Sequence, residues 1–107
     1  MLGLKKNLME NFGYLQEGDW VICTVRNYNS ISAELINFLN TNIGKYMEND
    51  HTNFRPYVIK YENVPQILNI GKFNGNMTRY VDKNEIIHFS PNKEDLQIYI
   101  DANKYNL

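Results

Sequence analysis

The sequence predicts one α+β domain: a small, strongly bent antiparallel β-barrel with an inserted helix and a C-terminal helix. Three observations carry this. Short apolar runs with strand-like alternation recur over residues 17–89, separated by Gly, Pro, Asn and Asp turn formers. Residues 31–41 and 91–103 instead place apolar side chains at helical spacing. No two strands are joined by a repeated crossover helix, which argues against a doubly wound parallel sheet, and short strands with tight turns fit a bent barrel. The chain of 107 residues is one domain's worth. Its expected parts are an N-terminal helical segment (1–13), a barrel (17–89) with the inserted helix (31–41), and the C-terminal helix (91–103).

In chain order, Leu4, Leu8 and Phe12 lie four apart, which predicts a short helix over 2–12 that Gly13 ends. Gly18 and Asp19 form the turn into the first strand, Trp20 to Val25. Alternation puts Val21, Cys23 and Val25 on one face and Trp20 and Ile22 on the other. A strand apolar on both faces needs cover on both. The apolar stripes of the two helices are the expected cover for the Trp20 row, and a partner surface is the other. "RNYNS" breaks the strand. Ser30 or Ser32 then caps the inserted helix, with Glu34 in its first turn and Leu35, Ile36, Phe38 and Leu39 on its apolar face.

"IGKYM" (43–47) predicts a second strand and "ENDHTN" (48–53) a loop. "PYVIKYENV" (56–64) predicts a third strand, alternating Tyr57, Ile59 and Tyr61 with Val58, Lys60 and Glu62. "QILNIGKF" (66–73) and "MTRYV" (77–81) predict a hairpin about Asn74-Gly75, a pair that tolerates positive φ. "EIIHF" (85–89) predicts a last short strand. Ser90 and Pro91 read as N-cap and first residue of the C-terminal helix. Glu94 and Asp95 sit at its positive end, and Leu96, Tyr99 and Ile100 face inward.

Composition narrows the function. The formal net charge is −1, whereas a general polyanion binder carries a basic excess. Cys23 is the only cysteine, so no internal disulfide can form, and it lies in an apolar run as a small buried hydrophobe. Cys23, His51 and His88 are too few and too scattered for the usual zinc sites, so neither a metal nor a cofactor is expected. No run approaches the length of a membrane span, and "MLGLKKNLMENF" lacks a signal-peptide core. The expected location is the cytoplasm of a bacterial host. Asn occurs 17 times and Ala twice. The frequent Asn, Tyr, Ile and Lys have AT-rich codons and suggest a low-GC bacterium or its phage.

The order of "GDWVICTV", "NTNIGKY", "YVIKYENVP" and "TRYVDKNEIIHF" resembles small SH3-like barrel proteins of phages or mobile elements of low-GC bacteria. The final strand followed by the acidic-start helix "SPNKEDLQIYI" adds to the likeness, which covers residues 17–102. The inserted helix departs from it, since a loop usually follows the first strand of such barrels. The resemblance implies a binding module with no catalytic residues.

The residues agree in opposing catalysis. His88 has only Glu85 nearby as an orienting carboxylate, and His51 lies in a polar loop. The two Gly-Lys pairs lack the spacing of a phosphate-binding loop. No nucleophile and base stand together. A binding surface is the better expectation. Tyr14, Trp20, Tyr28, Tyr46, Tyr57, Tyr61 and Tyr80 come from segments a barrel brings together, with Arg55, Lys60, Lys72 and Arg79 among them. Aromatic and Arg side chains are the types enriched at binding hot spots. The expected partner-binding set is Trp20, Arg55, Tyr57, Lys60, Tyr61, Lys72, Arg79 and Tyr80. The expected function is a non-catalytic inhibitor or modulator of a host protein complex, such as a defence system. The alternative is a small nucleic-acid or nucleotide-binding protein that stacks bases on the aromatic, basic face.

Overall fold

The turn into the first strand forms as its Gly-Asp pair predicts. Gly18 has φ +95°, a conformation that side chains rarely adopt. The turn is closed by the Asp19 N–H donating to the Gln16 carbonyl at 2.9 Å and the Gln16 N–H donating to the Asp19 carboxylate at 2.9 Å. The structure is a computed structural model and describes residues 14–26 and 33–105, the side chains of residues 103 and 105 aside. The helix expected over 2–12, the "NYNS" turn and the Ser30 and Ser32 caps lie outside the described residues.

Five strands form one antiparallel sheet: β1 (Trp20–Cys23), β2 (Gly44–Asn49), β3 (Tyr57–Lys60), β4 (Thr78–Val81) and β5 (Ile86–Ser90). Their order is β4-β3-β2-β1-β5. The described helices are α1 (Ala33–Thr41), α2 (Gln66–Gly71) and α3 (Lys93–Tyr105), and a 3-10 turn over Lys83–Glu85 joins β4 to β5. The architecture is α+β, as expected, but the sheet is open, since no ladder joins β4 to β5. In the 3-10 turn the Glu85 carboxylate accepts the Asp82 N–H at 2.9 Å. From there the chain runs to the opposite edge of the sheet, where β5 pairs with β1.

One expected strand is a helix. Residues 66–73 do not pair with 77–81; β4 pairs with β3 instead. The Pro65 carbonyl accepts the Leu68 and Asn69 N–H groups at 3.0 and 2.9 Å, starting the short helix α2. Leu68 and Phe73 enter the core while Ile67 and Ile70 stay exposed. The Asn69 carboxamide accepts the Met77 N–H at 2.8 Å and donates to the Gly75 carbonyl at 3.2 Å. It thereby holds Met77 in a left-handed conformation, φ 66°. The Asn74-Gly75 turn exists, but it leads into β4 rather than closing a local hairpin.

β1 is buried on both faces. Val21, Cys23 and Val25 enter a core with Leu35, Phe38 and Leu39 of α1, Tyr46, Ile59, Tyr61, Leu68, Phe73 and Val81. Ile22 turns the other way, into a second cluster with Leu96 and Ile100 of α3, against which Trp20 and Ile43 pack. Burial of each such aliphatic side chain is worth roughly 1.5–3 kcal/mol, enough for three of them to hold α3 on the sheet. That helix starts two residues later than its Ser-Pro signal suggests. Ser90 ends β5, and its hydroxyl accepts the Asn92 N–H at 3.1 Å and donates to Asp95 at 2.6 Å.

Gly44 lies at the closest approach within the sheet. A Cβ built there would meet Ile59 Cγ2 at 2.5 Å and the Tyr61 ring at 2.8 Å. Gly44→Ala should therefore cost about 1–3 kcal/mol of stability in urea melts. A melt indistinguishable from the unsubstituted protein would show that β2 does not sit this close to Ile59 and Tyr61.

Candidate functional site

Cross-strand register builds one continuous row on the outer face. Ser90 lies opposite Trp20, Trp20 opposite Lys45, Lys45 opposite Lys60, and Lys60 opposite Thr78. Residues directly opposite in antiparallel strands share a face. Tyr80 is in the next row of the same face, opposite Val58. The helix α3 covers the Ile22 end of β1, so Trp20 is half-buried at the seam between covered and open sheet.

Two ammonium groups sit over the Trp20 ring. Lys93 Nζ, from the first residue of α3, is 4.9 Å from the ring centroid and Lys45 Nζ is 5.3 Å away. Both fall within cation–π range. The ion pair between Arg55 and Glu85, 3.7 Å apart, is the only one among the described residues. Lys45, Lys60 and Lys93 thus have no carboxylate partner there. The Trp20 ring attracts Lys45 and Lys93, while two local preferences oppose the arrangement. Like charges directly opposite destabilise a sheet, and a lysine in a helix's first turn opposes the dipole.

Beside the row lies a cleft of about 230 Å³, bordered by Thr41, Asn42, Glu62, Asn63, Lys93 and Lys104. Small-molecule sites typically span about 300–1,000 Å³ and are mostly apolar. This cleft is smaller and more polar than that.

The structure separates the expected binding residues. Trp20, Lys60 and Tyr80 share the outer face. Tyr61 and Arg79 belong to the interior, only 1% and 8% exposed. They share the parity of Ile59, which turns them inward: Tyr61 meets Phe38 and Phe73 edge-on, and the Arg79 guanidinium lies 5.9 Å from the Phe73 ring. Tyr57 is half-buried beside Tyr46, ring centroids 5.5 Å apart. Arg55 points to Glu85, and Lys72 is exposed on the loop after α2. Lys45 and Lys93 were not among the expected residues. The parity of "IGKYM" relative to β1 could have found Lys45. Lys93 comes from a separate helix and had no local signal.

Burial pushes the Cys23 thiol up to about 12, although the Tyr61 hydroxyl beside it pulls the other way, so the thiol stays protonated at neutral pH. Neither the Tyr61 hydroxyl nor Arg79 Nη1 has a hydrogen-bond partner of ordinary geometry. His88 stacks on Tyr99 of α3, ring centroids 3.8 Å apart and planes 18° apart. Among the described residues no three His, Cys, Asp or Glu side chains converge as a metal site requires, and no helix is long and apolar enough to cross a membrane. Comparison with protein-family models, with curated proteins and with solved structures finds no match to this chain.

The His88–Tyr99 stack carries a pH dependence. Burial lowers the His88 pKa below its ordinary 6.5, so the fold favours the neutral ring. Its contribution is complete above about 6.5 and is lost as pH falls from there through the folded pKa. In melts from neutral pH to pH about 5, the unsubstituted protein should lose melting temperature relative to His88→Phe, which keeps the stack without the proton. A constant offset between the two would rule out this role for His88.

Proposed function

We propose that the protein is a non-catalytic protein-binding module whose contact surface is the outer face of the sheet around Trp20, Lys45, Lys60 and Tyr80. The observation that carries the reading is the half of that face that no described helix covers, where Lys45 and Lys60 are exposed. α3 covers Ile22 and stops at Trp20, leaving a row across three strands in which the indole is half-buried and Lys45 and Lys60 are exposed, beside the buried Val58. Trp and Tyr supply large contact area at low entropy cost, and the half-buried indole is already held in place.

The fold is further read as related to SH3-like barrels. A meander β1 to β4 whose fifth strand returns beside β1 is the connectivity a small bent barrel needs, and the 3-10 turn ahead of β5 supports it. With the AT-rich composition, this favours a phage or mobile-element protein of a low-GC bacterium that inhibits or modulates a host complex, for example a defence system, by occupying it. Binding of nucleic acid to the same face is the second reading, favoured by the lysines alone.

Immobilised protein and its Trp20→Ala, Tyr80→Ala double variant, exposed to lysates of low-GC bacteria, separate the two. The expected result is a host protein retained in stoichiometric amount by the first and released by the second. Retention of nucleic acid alone, eluting as salt is raised, would overturn the proposal.

A further inference from the structure

We infer that the Trp20–Lys45–Lys60 row, with Lys93, recognises carboxylates: the partner presents an acidic, extended segment laid across β1, β2 and β3. This rests on the protein-binding reading and names the chemistry of the partner. Charge complementarity carries it. Three lysines lie on or beside one row with no carboxylate partner among the described residues. Lys45 and Lys60 are cross-strand neighbours on β2 and β3, and Lys45 and Lys93 lie 5.3 and 4.9 Å from one indole ring, so three like charges repel along one strip. An anionic ligand removes that repulsion, so the arrangement is worth more when bound than when free.

The surroundings select a protein segment over a nucleic acid. The indole carries Lys45 and Lys93 over its ring, so a base could stack there only by displacing them. The strip is also narrow. Glu48 lies on the same face opposite Val58, and Glu62 lines the cleft that Lys93 shares. A phosphate chain has no groups to pair with these flanking carboxylates, whereas a peptide can alternate acidic and other side chains. Strands lie about 4.8 Å apart, so the row from Trp20 to Lys60 spans about 10 Å, the length of three extended residues. Two acidic side chains separated by one residue lie about 7 Å apart on one face of such a segment, within that span.

The test is fluorescence anisotropy with a labelled peptide of alternating Glu and Thr, about twelve residues long, against an oligothymidylate of equal length. The acidic peptide should bind with Kd below about 1 mM at low salt and weaken as salt rises. Lys45→Ala, Lys60→Ala and Lys93→Ala should each weaken it about threefold, and Lys60→Glu about tenfold. Lys60→Glu replaces a like-charge pair with an opposite one, so its melting temperature should stay level or rise, which excludes unfolding as the cause of lost binding. No binding of the acidic peptide, unchanged affinity in Lys60→Glu, or oligothymidylate binding as tight as the peptide's would each overturn the inference. If the peptide fails while a host protein is still retained and the Trp20, Tyr80 double variant still releases it, the protein-binding reading survives and only the acidic partner falls.

Discussion

The structure depends on the double burial of β1. Val21 and Cys23 are fully enclosed on one face and Ile22 is 2% exposed on the other, so this strand contributes to both apolar clusters. The inner cluster needs α1, α2 and the concave side of the sheet. The outer one needs only α3. Without α3 the outward row of β1 would be a bare apolar strip in the middle of a sheet; without β1 neither cluster closes. The neighbours of β1 follow from the same constraint. Gly44 lets β2 approach closely beside Ile59 and Tyr61, and β5 carries the chain directly into the helix that covers Ile22.

Trp20 marks where that structural requirement ends. Its indole packs against the Ile22, Leu96, Ile100 cluster and meets two lysines. Beyond it the same face of the sheet carries Lys45, Lys60 and Tyr80, which no described helix covers. The stability of the sheet does not call for a lysine opposite a lysine, nor for Lys93 at the positive end of α3.

Much of this fold is legible in the sequence, for identifiable reasons. Strict alternation around Trp20 separates the two rows of β1, and the apolar stripes of 31–41 and 91–103 locate the helices that cover them, seen at Ala33–Thr41 and Lys93–Tyr105. The segment 66–73 reads as a strand but folds as a helix, because its short apolar run fits either and cannot be assigned by period alone. The Asn74-Gly75 turn suggests a local hairpin, whereas pairing is decided by the long-range register of β3 with β4. Closure into a barrel is likewise a long-range property. At the site, residue type alone picks out Trp20, Lys60 and Tyr80. The same rule draws in Tyr61 and Arg79, although parity with Ile59 turns them inward. Lys45 and Lys93 emerge only when β1 is set against β2 and α3.

The open side of Trp20 lies in a local field of positive charge on a chain whose net charge is −1. Trp20 is the only tryptophan, so its fluorescence reports that field directly. Quenching by iodide and by caesium, each normalised to its effect on free tryptophanamide, is the decisive measurement. Iodide should quench Trp20 more efficiently than caesium at low ionic strength, and the gap should close at high salt and in the Lys45→Ala, Lys93→Ala double variant. Caesium quenching as efficient as iodide, or more so, would show that no such field exists at Trp20.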